Sequence, residues 1–381
     1  MIIMKNKKVI IICSVVLAVL ILAGIVTPKI ANALLFPEIP QTKSTEFAKK
    51  LGAGWNLGNT LEACEKGSEG KMGLESETYW GNPYTTKKTI ESVKKAGFKT
   101  VRIPITWAPH LSDAPDYKID EEWLARVKEI VDWVLECDMY AVINVHHDDA
   151  FWLVTDKENE EKSIEILTKI WAQLSEEFKD YDERLVFDIM NEPRVTGDPE
   201  EWSGTDEYRE IVNTLHKEAV ETIRKSGGNN ETRFIMLSTY AAKEHKDNVK
   251  ALVLPDDEYL LVTIHFYYGT AHQSEFLDCE KKLNLIAKIE IYKTFRLMYD
   301  TFISKGIGVV NGEFGWTDRK NKGNLREKTQ FYVETASRFG IPCFVWDNGE
   351  SFRLFDRETM YREYGFYIQA IIRASDLYEQ Q

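Results

Sequence analysis

The chain has 381 residues, of which 44% are hydrophobic and 29% charged, an ordinary composition for a folded globular protein. Its formal net charge of −13 excludes nucleic acid as a natural partner, because a polyanion would be repelled. Aromatic residues make up 12% of the chain and include ten Trp, a content that suits a sugar-stacking surface as well as a core.

The first residues have the pattern of an export signal. Lysines at positions 5, 7 and 8 precede an uncharged apolar run from Val9 to Val26, and the tripeptide Ala31-Asn32-Ala33 resembles a cleavage site. We predict a signal peptide over residues 1–33. Because the apolar run is long, the alternative is an uncleaved membrane anchor over residues 9–26. Either alternative predicts a secreted, extracellular or surface-anchored protein, with residues 34–45 as a short linker.

From residue 46 onward, short apolar segments alternate with amphipathic segments whose apolar residues recur at three and four. The predicted strands are 52–59, 100–107, 140–147, 185–193, 233–238, 260–267, 308–315 and 343–349. The predicted helices between them are 89–97, 121–137, 163–181, 206–226, 284–305 and 325–340. This alternation predicts a single (β/α)8 TIM barrel, of the α/β class, over residues 46–375. The chain has no G-x-G-x-x-G and no P-loop, so we predict no nucleotide site.

In such barrels, functional side chains gather at the C-terminal ends of the strands. Polar or aromatic residues end most of the predicted strands: Asn56, Asn59, Arg102, His146, His147, Asn191, Glu192, His265, Tyr267, Asn311, Glu313, Trp346, Asp347 and Asn348. Simple turns would favour Gly, Asp, Ser and Pro instead. The segment 61–86 is long and is predicted to form a wall of the same face.

Glu192 and Glu313 end the fourth and seventh predicted strands, so they are expected to face each other across the mouth of the barrel. A carboxyl pair is what glycosidic hydrolysis needs, with one acid to protonate the leaving oxygen and one carboxylate to attack carbon or activate water. Separation decides the outcome: about 5–5.5 Å favours retention of configuration and about 6.5–9.5 Å inversion. The sequence leaves that distance open.

The run His146-His147-Asp148-Asp149 contains residue types that bind metals. Adjacent residues of a strand point to opposite faces, so the two histidines are not expected to share an ion. We therefore predict no metal site and no cofactor.

Eight segments in order, GWNLGNTLEA, TYWGNP, VRIPITW, NVHH, MNEPR, HFY, GEFG and WDNG, resemble glycoside hydrolase family 5, and most of all its subfamily 4 of endo-β-1,4-glucanases (cellulases). The resemblance extends from about residue 46 to 372. Two departures are visible. Asp148 stands where many relatives have Glu, and Phe187-Asp188-Ile189 replaces a more usual Phe-Glu-Gly. Both are expected to lie beside the catalytic set and not within it.

The resemblance implies a role for each matching residue. Glu192 matches the general acid/base and Glu313 the nucleophile. The other matches are Asn191 for the sugar 2-hydroxyl, Arg102 to keep the nucleophile ionised, Tyr267 as a donor to Glu313, His265 beside Glu192, His146 on the same sugar, Trp346 as the stacking floor, and Asn56 as an outer substrate contact.

The resulting expectation is a retaining endo-β-1,4-glucanase, acting as a monomer on cellulose, mixed-linkage β-glucan or xyloglucan. Xylan or mannan as substrate is the first alternative, and a non-catalytic carbohydrate-binding barrel is the second. The complete set formed by both Glu, Asn191, Arg102 and Tyr267 argues against the latter, since a binding protein has no use for it.

Overall fold

The computed structural model describes residues 35–65, 71–268, 283–317 and 322–376. Its eight parallel strands close in chain order, so the first strand pairs with both the second and the eighth. The strands are β1 (Gly54–Leu57), β2 (Thr100–Ile103), β3 (Tyr140–Asn144), β4 (Leu185–Asp188), β5 (Ile235–Ser238), β6 (Leu260–His265), β7 (Gly308–Phe314) and β8 (Cys343–Asp347). The predicted (β/α)8 barrel is confirmed.

Helices cover the outside of the strands. Within the described residues they are α1 (Lys43–Leu51), α2 (Lys87–Ala96), α3 (Glu121–Glu136), α4 (Glu160–Glu177), α5 (Asp206–Lys225), α6 (Lys246–Ala251), α7 (Leu285–Thr301), α8 (Lys322–Arg338) and α9 (Gly365–Asp376). The six helices predicted from the sequence correspond to α2–α5, α7 and α8. The predicted 284–305 helix ends early, at Thr301, and a 3-10 turn, Ile303–Lys305, follows it.

Helix α1 closes the N-terminal end of the barrel. Its residues Phe47, Ala48 and Leu51 are buried in one cluster with interior residues of the strands, and the Phe47 ring stacks on Phe234 with centroids 3.7 Å apart. The side chain of Thr42 caps the helix by accepting from the backbone N–H of Thr45. Residues 43–45 therefore belong to the barrel, and the predicted linker over 34–45 is too long at its C-terminal end.

The strands end earlier than their hydrophobic patterns predict. Strand β4 stops at Asp188, although the apolar residues Ile189 and Met190 continue the pattern and are fully buried. Beyond the strand, the Ile189 N–H donates to the carbonyl of Met236 and the Asn191 N–H to that of Val145, so this segment stays hydrogen-bonded to both neighbouring strand ends. Residues just beyond the strand are also buried at the rim of the barrel, so the hydrophobic pattern in the sequence is longer than the strand itself.

Strand β7 contains an irregularity that matters for the site. Ile264 of β6 pairs with Asn311, but the next residue, His265, pairs with Glu313, so Gly312 is an extra residue. A Cβ at Gly312 would lie 2.6 Å from the Thr263 hydroxyl oxygen, a distance that real side chains do not tolerate. Glycine is required here because the bulge presses its backbone against β6.

The predicted signal peptide or anchor falls on residues 1–33, which lie outside the described residues. Among the described residues, no helix is long and apolar enough to cross a membrane.

Replacing Phe47 with Ala is expected to lower the free energy of unfolding by about 3–5 kcal/mol, because it leaves a cavity against the stacked Phe234 ring. Denaturant unfolding of the two proteins measures this. Glu46→Ala, on the exposed side of the same helix, is the matched control and is expected to cost less than about 1 kcal/mol. Equal small losses in both variants would contradict the role given to α1.

Candidate active site

Arg102 lies at the centre of the site, fully buried inside the barrel. Its Nε and Nη2 approach Oδ2 of Asp188 at 3.0 and 2.9 Å, and Nη2 also donates to Asn191 Oδ1 at 2.8 Å. Its Nη1 donates to Glu313 Oε1 at 2.7 Å and to Asn56 Oδ1 at 3.0 Å. A buried guanidinium is tolerated only when it is paired and hydrogen-bonded, and here every nitrogen has an acceptor.

Glu313 is held by both of its oxygens. Oε1 accepts from Arg102, and Oε2 accepts from the hydroxyl of Tyr267 at 2.9 Å. Burial and the charge of Glu313 raise the pKa of Tyr267 well above its usual value, so this residue stays a phenol and a donor. The predicted contacts of Arg102 and Tyr267 with Glu313 are both present, and they fix the carboxylate in one orientation.

Glu192 lies opposite and is more exposed, with 17% of its side chain accessible against 7% for Glu313. Its Oε1 is 2.9 Å from Nδ1 of His265, and that nitrogen is 3.7 Å from Glu313 Oε2. An oxygen of Glu192 and an oxygen of Glu313 lie within 4.8 Å of each other. The predicted meeting of the two carboxylates, with His265 beside them, is confirmed.

Several charges act on Glu192. Burial raises the pKa of its carboxyl, but the hydrogen bond and charge of His265, with the charges of Arg194 and Lys243, outweigh burial and lower this pKa to about 2. Arg194 is 3.6 Å from Glu192 Oε2 and is itself paired with Asp149 and Glu201. The hydrogen bond from His265 and the nearby guanidinium of Arg194 thus favour the ionised form of Glu192.

Three predicted sugar contacts line the same mouth. The side-chain oxygen of Asn191 accepts from Arg102, so the amide nitrogen of Asn191 is available as a donor. The rings of His146 and Trp346 lie parallel, 5.8 Å apart, and Trp346 is partly exposed. A Cβ at Gly58 would lie 2.8 Å from the Trp346 ring, so the glycine of GWNLGN makes room for the aromatic floor.

Asn144 orients His146, and the sequence prediction missed it. Its Oδ1 accepts from the backbone N–H of Ile105 at 3.1 Å, so its Nδ2 is the group that lies 2.9 Å from His146 Nδ1. The imidazole must therefore accept at Nδ1 and carries its proton on Nε2. The signal was the position of Asn144 two residues before His146, on the same face of the predicted strand 140–147.

The prediction for Asn56 is wrong in this structure. Its side chain is fully buried and, besides accepting from Arg102, donates to the backbone carbonyl of Gly312 at 3.0 Å. Asn56 therefore supports Arg102 and the bulge in β7 from inside the barrel, where no sugar reaches. A strand-end amide was mistaken for a rim residue because the strand continues one residue further, to Leu57.

Of the two departures from the family pattern, Asp148 lies beside the catalytic set as predicted, but the placement predicted for Asp188 needs correction. Asp188 is within the catalytic network, since it shares Arg102 with Glu313. Asp148 is fully buried and accepts from the backbone N–H groups of Trp107 and Ala108, so it ties the β2 and β3 ends together. An Arg at an interior strand position needs a buried acidic partner, and this requirement could have predicted the position of Asp188.

The argument against a shared ion at the two histidines assumed that both belong to a strand. Strand β3 ends at Asn144, and the rings of His146 and His147 lie edge to face with centroids 4.5 Å apart. Among the described residues, the cluster with metal-ligand spacing is Glu192, His265 and Glu313. Arg102 and Tyr267 already bind both oxygens of Glu313, so this cluster is arranged for proton transfer.

The long first loop reaches the mouth, as predicted. Asn82 donates to the carbonyls of Asn59 and Asn348 at the ends of β1 and β8, and the Trp80 ring lies 5.6 Å from the ring of His147. Residues 66–70 of this loop lie outside the described residues.

Comparisons with known proteins find relatives that cover most of this chain. A cellulase/esterase, CelE, from Acetivibrio thermocellus is 40% identical over 90% of this chain, which spans only 42% of the length of that relative. Among solved structures, a GH5-4 broad specificity endoglucanase from Ruminococcus champanellensis with bound cellotriose has a TM-score of 0.82 and 35% identity, covering 88% of this chain and 99% of its own.

A second structure with a TM-score of 0.82 is the GH5 xyloglucan-specific endo-β-1,4-glucanase XEG5A, from a metagenomic library, in complex with cellotriose; it is 36% identical and covers 87% of this chain and 98% of its own. The model of the cellulase family matches residues 64–351, a range that holds both carboxylates. The chain therefore belongs to glycosyl hydrolase family 5.

Proposed function

We propose that this glycoside hydrolase is an endo-β-1,4-glucanase that works by double displacement with retention of configuration. The observation that carries the proposal is the approach of Glu192 and Glu313 to within 4.8 Å. That spacing suits direct attack on carbon, whereas the inverting arrangement needs about 6.5–9.5 Å to hold a water molecule between the carboxylates.

The two carboxylates have different surroundings, and these assign the roles. Glu313 faces a permanent cation, Arg102, and the phenol of Tyr267, a setting that holds a carboxylate ionised and aimed. Glu192 is more exposed and faces His265, whose Nδ1 can exchange a proton with its Oε1. Glu313 is therefore the nucleophile, and Glu192 is the acid/base.

In the first step, an oxygen of Glu313 attacks the anomeric carbon while the bond to the leaving glycosidic oxygen breaks. The exchangeable proton shared by Glu192 Oε1 and His265 Nδ1, 2.9 Å apart, passes through Glu192 to the leaving oxygen. The products of this step are a glycosyl ester on Glu313 and a shortened chain with a new hydroxyl end. Asn191 donates to the sugar under attack, where a hydrogen bond strengthens as positive charge develops.

In the second step, Glu192 accepts a proton from water, and the resulting hydroxide equivalent attacks the same carbon and releases Glu313. Two inversions at one carbon give net retention. Arg102 and Tyr267 take up the charge that returns to Glu313 as the ester bond breaks.

The substrate class follows from the site and the relatives together. A partly exposed Trp346 provides a stacking floor for an equatorially substituted sugar. Two structural neighbours carry cellotriose, and one of them is named as xyloglucan-specific. These features support β-1,4-glucans, including cellulose, mixed-linkage glucan and xyloglucan, over xylan or mannan.

The N-terminal pattern supports action outside the cell. A basic start, an apolar run over residues 9–26 and a small-residue motif before residue 34 are the parts of an export signal or anchor. We propose a secreted or surface-anchored monomer that meets its polysaccharide outside the cytoplasm.

Azide rescue tests the assignment of the two carboxylates. With an aryl β-cellotrioside that has a good leaving group, Glu313→Gly plus azide is expected to give the α-glycosyl azide, because azide attacks from the side of the missing nucleophile. Glu192→Ala plus azide is expected to give the β-glycosyl azide from the glycosyl-enzyme. NMR of the products distinguishes the two anomers, and the reverse pattern would exchange the roles.

Tyr267→Phe removes the donor to Glu313 and is expected to lower kcat/KM roughly 10- to 150-fold, the equivalent of one hydrogen bond to a charged group. Initial rates on soluble β-glucan measure this. Tyr181→Phe is the control, because its hydroxyl donates to Asp132 at 2.6 Å on the outer helices. A Tyr267→Phe enzyme within twofold of the Tyr181→Phe enzyme would contradict the role of Tyr267.

A panel of barley β-glucan, carboxymethylcellulose, xyloglucan, xylan and mannan tests the substrate class, with Glu313→Gln as the blank. We expect reducing ends and a rapid fall of viscosity on the glucans, since internal cleavage shortens chains quickly. Release on xylan or mannan alone would keep the mechanism and change the substrate. Binding without release on all five would favour the carbohydrate-binding barrel.

A further inference from the structure

The barrel interior beneath the acid/base contains polar atoms that the mechanism does not use. Asp188 Oδ1, Ser238 Oγ, Thr263 Oγ1 and His265 Nε2 are buried and have no hydrogen-bond partner among the described residues. All four residues are fully buried. A single buried polar atom without a hydrogen-bond partner would carry little meaning. These four belong to three successive strands, β4, β5 and β6.

The three strand residues below His265 point into the barrel. Val186, Met236 and Leu261 belong to the interior cluster that α1 closes. Asp188, Ser238 and Thr263 follow them by two positions on the same strands and so share their face. They form a polar layer between the apolar floor of the barrel and the catalytic carboxylates.

Neighbouring strands bring these polar atoms together. Ser238 and Thr263 are register partners in β5 and β6. Thr263 Oγ1 and His265 Nε2 both lie close to Gly312, since a Cβ built there would be 2.6 and 3.1 Å from them. A water molecule needs two to four polar partners, and a carboxylate oxygen, two hydroxyls and an imidazole nitrogen could supply them.

Asp188 gives this space its charge. Both of its contacts with Arg102 use Oδ2, which leaves Oδ1 as the oxygen directed away from the guanidinium. Burial outweighs the charges of Arg102 and His265 and raises the pKa of Asp188. Its Oδ2 nevertheless accepts from two N–H groups of a cation, a contact that favours the ionised carboxylate, whose second oxygen is then an acceptor.

We propose that Asp188, Ser238 and Thr263 form a buried acceptor pocket, bridged by water, that keeps a proton on Nε2 of His265 and so reserves Nδ1 for Glu192. This inference rests on the proposed acid/base role of Glu192. Asp188 is then a positioning residue, because it acts on the acid through His265 and touches no substrate.

The direction of the Nε2 proton has a chemical consequence. With a proton on Nε2, Nδ1 either accepts from a protonated Glu192 or, in the imidazolium, donates to an ionised Glu192. Both arrangements hold the exchangeable proton between Oε1 and Nδ1. The other neutral tautomer would carry its only proton on Nδ1, and passing that proton to Glu192 would leave an imidazolate, so Glu192 would stay ionised.

Charged groups approach this pair from every side. His265 faces Asp188 from β4, Glu192 from beyond the end of β4 and Glu313 from β7, with the charge of Arg102 behind Asp188 and Glu313. The further charges that act on Glu192 are those of Arg194 and Lys243. Asp188 is the carboxylate of this set that contacts neither substrate nor solvent.

Imidazole nitrogen NMR of the full-length, histidine-labelled protein reads the tautomer directly, with His265→Gln to assign the signal. We expect a protonated Nε2. In Asp188→Asn, Arg102 takes the amide oxygen, so the amide N–H₂ faces the pocket as a donor and is expected to drive the proton from Nε2 to Nδ1. A wild-type neutral imidazole protonated on Nδ1 would overturn the proposal.

The pH profile of kcat/KM gives an independent readout, because its basic limb reports loss of the proton from the acid. Removing the negative charge of Asp188 makes that proton easier to lose, so Asp188→Asn is expected to shift the basic limb about one pH unit lower. Thr263→Val is expected to give a smaller shift in the same direction, and Thr263→Ser to restore the wild-type limb.

Ser175→Ala is the matched control for Ser238→Ala, since each removes a buried hydroxyl that has no partner in the described part of the chain, but Ser175 lies on α4, away from the site. The control is expected to keep the wild-type profile, and Ser238→Ala to move the limb downward. If Asp188→Asn fails to fold, the Thr263 pair still decides. Wild-type pH profiles in both Thr263→Val and Ser238→Ala would refute the pocket. A wild-type protein that is inactive on every glucan would instead refute the proposed function. The NMR experiment would then still decide the tautomer of His265.

Discussion

The site depends on one constraint, the cost of burying the charge of Arg102. An uncompensated buried guanidinium costs several kcal/mol, so the surrounding strands must supply acceptors. They do so from three directions: Asn56 on β1, Asp188 and Asn191 on and after β4, and Glu313 on β7. Because a guanidinium is planar and rigid, satisfying it also sets the relative positions of these side chains.

That geometry explains how Arg102 can hold Glu313 in place without neutralising its negative charge. Arg102 divides its donors between two carboxylates, with Nε and Nη2 toward Asp188 and Nη1 toward Glu313. Two negative charges therefore share one positive charge. Glu313 is held by a single guanidinium N–H and one phenol, which orient it without the full bidentate grip that would weaken its attack on carbon.

Much of this arrangement could be predicted from the sequence. The barrel followed from the alternation of periods, and the meeting of Glu192 and Glu313 followed from the rule that strand ends converge. These are local patterns combined with one global rule. They worked because Glu192, His265, Tyr267 and Glu313 all follow or end strands whose hydrophobic cores are unmistakable.

The features that were missed depend on which face a residue occupies at a strand end. Asn56 was placed at the rim, although it lies inside, and Asp188 was placed outside the network that it shares with Arg102. Both errors are shifts of one or two residues along a strand. Such a shift decides whether a side chain lies inside the barrel or at its mouth. The bulge at Gly312 has the same character, since the sequence NGEFG does not reveal which residue is extra.

The charges of the site also account for the change of role that Glu192 must make between the two steps. Before reaction, the carboxyl groups of Asp188, Glu192 and Glu313 lie around Arg102, and one exchangeable proton is held between Glu192 and His265. When Glu313 becomes an ester, its negative charge disappears. A nearby negative charge favours retention of a proton, so loss of the charge on Glu313 favours release of the proton.

By then the proton of the pair has left with the leaving group, and Glu192 is an ionised base facing water. When the ester breaks, the charge of Glu313 returns and the proton is bound again. The covalent step itself thus switches Glu192 from acid to base, and no movement of the backbone is required.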